Sequence, residues 1–152
     1  MPGHVPVQAL RERADLPSSS RSSIRRVKRV LVADDDADMA AMIKAMLEGR
    51  LPVTVDHVTN GALVFDQISA THPDLVILDV SMPGLNGLDV FDLLRGSASF
   101  MDVRVLFLTA MPDRAEHALA RLGISDVMAK PFDSDALVRR VDALLARDVK
   151  VA

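Results

Sequence analysis

Residues 74–87 read Asp74-Leu75-Val76-Ile77-Leu78-Asp79-Val80-Ser81-Met82-Pro83-Gly84-Leu85-Asn86-Gly87. Four apolar residues run straight into a carboxylate. A Pro-Gly turn, an Asn-Gly pair and a new amphipathic segment follow. An unbroken apolar run of this length reads as a strand buried on both faces, as in a parallel sheet. Asp79 then stands at the carboxyl end of that strand, where open α/β sheets bind ligands. It is either a chemical group or an aspartate that only caps the next turn.

Outward from this stretch the pattern alternates. Strand-like runs are expected at residues 29–33, 53–58, 75–78, 103–108 and 126–129. Helical stripes lie between and after them. They are Met39, Ile43, Met46 and Leu47; Leu63, Val64, Gln67 and Ile68; Leu88, Phe91 and Leu94; Ala115, Leu119 and Leu122; and Leu137, Val138, Val141, Leu144 and Leu145. Five strands alternating with five helices predict an α/β fold: a five-stranded parallel sheet, doubly wound, with helices on both faces.

The chain has 152 residues, 49% of them hydrophobic, enough to build one core. It has no cysteine, which excludes a disulfide framework and thiolate chemistry and suits a cytoplasmic location. No apolar run approaches a membrane span, and no secretory signal is visible. Residues 1–29 hold seven basic and two acidic side chains, a net +5; the chain totals −3, so the remainder carries −8. An acidic domain of that kind repels nucleic acid and attracts cations. Residues 1–26, broken by Pro2, Pro6 and Pro17 and by the serines at 18–20, are expected to form a basic flexible arm, with the domain at 27–148. The arm is read as a solvated tail or as a contact for an acidic partner.

Alternation places the ends of strands one, three, four and five on one edge of the sheet. Those ends carry Asp34, Asp35 and Asp36, then Asp79, then Thr109, then Lys130-Pro131-Phe132. Crowded carboxylates repel one another unless protonated or metallated. Oxygen ligands at a loop edge suit Mg²⁺. A carboxylate nucleophile, a hard cation, a hydroxyl and an ammonium are the parts of phosphoryl transfer onto aspartate.

These motifs resemble the receiver domain of two-component response regulators, the family of the chemotaxis response regulator. The resemblance covers roughly residues 28–146. It rests on Val30-Leu31-Val32-Ala33-Asp34-Asp35, Asp79 followed by Met82-Pro83-Gly84, Leu108-Thr109-Ala110 and Lys130-Pro131-Phe132. It implies the flavodoxin-like strand order 2-1-3-4-5. It also implies that Asp79 is the phosphoacceptor. Asp35 would be a direct Mg²⁺ ligand, Asp34 would act largely through water, and the Ser81 carbonyl would be a further ligand. Thr109 and Lys130 would bind the phosphoryl oxygens, and the Lys130–Pro131 bond would be cis. The donor would be a sensor histidine kinase or a phosphotransfer protein. Output would be docking onto an unidentified downstream protein or phosphorelay, with a phosphorylation-linked dimer as a further expectation.

No membrane or direct nucleic-acid contact is expected, nor an output domain, nor enzymatic activity beyond the protein's own phosphorylation and dephosphorylation. Asp126 and Arg140 are candidates for a dimer face, against a solvated surface. Similar domains often carry an aromatic three positions before the lysine. Here that position is Val127, and Ser81 and Met111 occupy the positions that, in similar domains, tune the lifetime of the phosphoryl group.

Other classes fit less well. An aspartate-nucleophile phosphatase needs an acid two residues after the nucleophile, and that position is Ser81. Gly84-Leu85-Asn86-Gly87 has the GxxG form of an RNA-binding loop but lacks a basic residue between the glycines. The four histidines lack metal-ligand spacing. A receiver-shaped binding module that is never phosphorylated is the remaining alternative, and it predicts a damaged acidic pocket.

Overall fold

The computed structural model describes residues 27–82, 84, 86–110 and 126–147. Strands β1 (Lys28–Ala33), β2 (Val53–Val58), β3 (Leu75–Asp79), β4 (Arg104–Thr109) and β5 (Val127–Ala129) form one sheet in the order β2-β1-β3-β4-β5, each paired parallel to its neighbours. The helices among the described residues are α1 (Ala37–Arg50), α2 (Val64–Thr71), α3 (Gly87–Arg95) and α4 (Ser134–Ala146), with a 3₁₀ turn at Gly61–Leu63 before α2. The stripe at Ala115, Leu119 and Leu122, Met111 and the arm at residues 1–26 lie outside the described residues.

Alternation of side chains along the strands divides the core in two. Val30 and Val32, Val53 and Val55, Leu75 and Ile77, and Leu106 and Leu108 face α1 and α4. Leu31 and Ala33, Val58, Val76 and Leu78, and Val105 and Phe107 face α2 and α3. This is the doubly wound arrangement that the sequence predicts. β3 is buried at every position, because helices cover both of its faces. Burying one such Leu, Ile or Phe contributes about 2–3 kcal/mol.

Local chemistry starts and stops the helices. Asp36 caps α1, its carboxylate accepting from the N–H groups of Asp38 and Met39 at 3.0 and 3.2 Å. Pro52 follows directly on Leu51, the residue that caps the end of α1, and disfavours further helix there. Asn86 and Asp133 cap α3 and α4 in the same way. α2 ends at His72, which is left-handed at φ 49°, just before Pro73. The stripe of α1 is core: Ile43 and Leu47 are buried and Met39 and Met46 pack against them, while Met42, off that stripe, is 47% exposed. Leu63 belongs to the 3₁₀ turn rather than to α2 and is exposed, because that turn rotates it off the helical stripe.

Candidate functional site

The register of the sheet brings four strand ends together. Asp34 follows β1, and its N–H bonds the Val58 carbonyl at 3.1 Å. Asp79 ends β3, and the next residue, Val80, donates its N–H to the Leu108 carbonyl at 3.0 Å. Thr109 ends β4, and its carbonyl accepts the Lys130 N–H at 2.7 Å. The Lys130–Pro131 peptide is cis, as the resemblance implies. Asp34, Asp79 and Thr109 are the buried polar side chains among the described residues.

Three adjacent aspartates have three different environments. Asp34 is buried and accepts the Lys130 ammonium at 2.7 Å on Oδ2 and the Asp36 N–H at 2.9 Å on Oδ1. Asp35 is exposed. Asp36 points its carboxylate into α1 as a cap and leaves the site. Lys130 bridges the two buried acids, with Nζ 3.4 Å from Asp79 Oδ2. Asp79 Oδ1 accepts the Ser81 N–H at 3.2 Å.

The electrostatics follow from this packing. Burial pushes the Asp79 carboxyl up from 3.8 to about 6. Lys130 draws it down, Asp34 pushes it up, the Ser81 N–H draws it down and Asp35 pushes it up. Burial by itself would lower the Lys130 ammonium. The Asp34 hydrogen bond and the Asp79 and Asp34 charges more than offset that and raise it. The pocket therefore holds more negative charge than its one lysine balances.

A divalent cation fits that imbalance. Asp34, Asp35 and Asp79 each offer a carboxylate oxygen within 4.8 Å of the others. Mg²⁺ binds oxygens at about 2.0–2.1 Å, so oxygens on opposite sides of one ion are about 4.2 Å apart, and this set is of that size. All three donors are hard oxygens, which suits Mg²⁺ and not a softer metal.

The loop after Asp79 is shaped by two glycines. Gly84 has φ +85°, and a Cβ there would lie 2.3 Å from Asn60 Oδ1. Gly87 opens α3 pressed against β3: a Cβ there would lie 2.4 Å from the Asp79 carbonyl oxygen and 3.0 Å from Val80 Cα. Both of those contacts are backbone and cannot rotate away. Gly87→Ala is therefore expected to cost about 2 kcal/mol, the usual penalty of overpacking. Urea unfolding followed by circular dichroism checks it, and unchanged stability would mean that α3 shifts freely.

Asp34, Asp35, Asp79, Ser81, Thr109 and Lys130 all lie at the one edge expected from the sequence. The Lys130–Asp34 ion pair was not foreseen, since no local pattern links residues so far apart. Asp126 and Arg140 face each other at 3.5 Å within the chain, and Arg147 also approaches Asp126 at 3.9 Å.

Comparison with known proteins agrees with this geometry. Residues 30–142 match the family model of the response regulator receiver domain. The chain is 37% identical over 122 residues to the DNA-binding response regulator MtrA of Mycolicibacterium paratuberculosis, covering 80% of this chain and 52% of the relative. It thus spans about half the length of the curated relatives it matches. Among solved structures, the signal receiver domain of a signal transduction histidine kinase from Syntrophus aciditrophicus matches with a TM-score of 0.71 at 30% identity, over 79% of this chain and 91% of that one. The receiver domain of the Francisella response regulator 1452 matches with a TM-score of 0.70 at 28% identity, over 78% of this chain and 96% of that one. By sequence, strand order and pocket alike, the chain belongs to the receiver-domain family of two-component response regulators.

Proposed function

We propose that this receiver domain takes a phosphoryl group onto Asp79 from a phosphohistidine of a sensor histidine kinase or phosphotransfer protein. The observation that carries the proposal is a buried carboxylate facing a largely covered ammonium at 3.4 Å, with two further carboxylates beside it. With its carboxyl near 6, Asp79 is mostly ionised at neutral pH and is a competent nucleophile. One of its oxygens attacks phosphorus; the P–O bond forms as the P–N bond to the imidazole breaks, and that nitrogen leaves with the electron pair. Lys130 balances the charge on the transferred oxygens, and the Thr109 hydroxyl donates to one of them. Asp34, Asp35, Asp79 and the Ser81 carbonyl would hold Mg²⁺, which when bound neutralises charge between the acids and the incoming phosphoryl group.

The domain is not an enzyme toward another substrate. Its output is docking onto a partner protein or relay of the phosphoryl group, and its acidic surface disfavours direct nucleic-acid binding. Val127, packed on the α2–α3 side of the core, is short and β-branched and cannot sweep the volume of an aromatic ring. The signal therefore leaves through the backbone after Thr109. An unphosphorylated binding module would tolerate loss of pocket residues, whereas here the whole set is assembled.

Labelling with acetyl phosphate or a cognate kinase tests the proposal. Wild type should be labelled in Mg²⁺ and not in EDTA, and Asp79→Asn should not be labelled. Equal labelling of the two proteins would refute it.

A further inference from the structure

Among the described residues β2 is an edge strand of six residues, paired with β1 alone. The opposite edge strand, β5, has only three residues. A long free edge is a template for pairing with another chain. The Val58 carbonyl bonds the Asp34 N–H, so Thr54, Asp56 and Val58 aim their backbone groups at β1. By alternation, Val53, Val55 and His57 aim theirs outward.

The middle of that outward row is occupied. Lys44 Nζ on α1 donates to the Val55 carbonyl at 2.8 Å and to Glu48 Oε2 at 3.0 Å. The same Glu48 oxygen accepts the Val55 N–H at 2.9 Å. One ion pair thus fills both the donor and the acceptor that a neighbouring strand would use. The Val55 N–H, followed by Lys44, holds the Glu48 carboxyl below its ordinary value.

The pair makes little sense as helix stabilisation. Lys placed four residues before Glu is the weaker order on a helix. Both side chains are partly exposed, at 40% and 33%, and such pairs contribute little. Its role lies in the strand that it covers.

We propose that Lys44 and Glu48 act as a surrogate strand that closes the β2 edge to a second copy of this chain. Val53, Val55 and His57 form a self-complementary row. In an antiparallel two-fold pairing Val55 meets its own mate, and the Val53 carbonyl meets the His57 N–H, the Val53 N–H being held by the Leu51 carbonyl at 2.8 Å. The ion pair sits on the centre of that axis. Removing it opens the edge at the position where such a dimer must pair.

The test uses Lys44→Ala/Glu48→Ala, with Glu48→Gln as the conservative variant that keeps an acceptor. Amide hydrogen exchange is read by NMR, and molar mass is read by light scattering over a concentration series. In dilute double variant the Val55 amide should exchange at least about tenfold faster, as expected for loss of a hydrogen bond, while Thr54 and Asp56 keep their protection. At high concentration a dimer should appear and protect Val55 again. Glu48→Gln should stay monomeric with Val55 protected. Unchanged Val55 exchange, a double variant monomeric at every concentration, or a dimer in which Val55 still exchanges fast would each overturn the proposal.

Discussion

Replacing Lys130 with methionine is expected to cost the metal-free protein about 3 kcal/mol, the lower end of what breaking a buried ion pair costs. Lys130 is bonded to Asp34 at 2.7 Å and lies 3.4 Å from Asp79. Its side chain is only 16% exposed, and Asp34 is 1% exposed, so water cannot replace the lost partner. Methionine matches the length of the stem, so the loss reports charge rather than a cavity. Adding Asp79→Asn to Lys130→Met should recover part of the loss, because the two sites share one electrostatic network. Urea unfolding in EDTA, followed by far-UV circular dichroism, reads all three proteins. A Lys130→Met protein as stable as wild type would mean that the buried acids need no counter-charge.

Asp79→Asn alone should have the opposite sign. It removes the carboxylate that burial and Asp34 disfavour, and it should stabilise the metal-free fold by about 2 kcal/mol at neutral pH. The folded state raises this carboxyl from 3.8 to about 6. Between those values the folded protein binds a proton that the unfolded chain has released. Stability from this group is therefore lost as pH rises from about 4 to about 6. The advantage of Asp79→Asn should grow across that window and level off above it. Mg²⁺ should narrow the gap by stabilising wild type through mass action. Thermal melts of both proteins across pH in EDTA and in Mg²⁺ decide it; a variant less stable than wild type at neutral pH contradicts the crowded pocket.

These expectations rest on groups that the sequence exposes to different degrees. The strand run at residues 53–58 coincides with β2, and Leu75–Leu78 is the buried run that β3 requires, because periodicity is set by burial over several residues. The strand ending at Thr109 runs one residue later than its apolar run suggests, since hydrogen bonds and not hydropathy end a strand. Asp34, Asp79, Thr109 and Lys130 were legible as a set because each ends a strand on the same edge. What each aspartate does was not legible. Asp34, Asp35 and Asp36 are neighbours in sequence, yet one pairs with Lys130, one is exposed and one caps α1. That division depends on where the helix begins and on a lysine 96 residues away. The hold of Lys44 and Glu48 on Val55 was hidden for the same reason: an (i, i+4) pair on an exposed face looks like solvated charge until the strand edge is placed beside it.

The central claim is that the phosphoryl group resides on Asp79, and chemical trapping tests it most directly. An aspartyl phosphate is a mixed anhydride, which borohydride reduces to homoserine with release of phosphate. The phosphorylated protein should be treated in this way, digested and read by peptide mass spectrometry. Conversion of Asp79 to homoserine, dependent on Mg²⁺ during phosphorylation and accompanied by no other modified aspartate, is the predicted result. Homoserine at another position, or a stable phosphoryl group that survives the treatment on a different residue, would contradict the account.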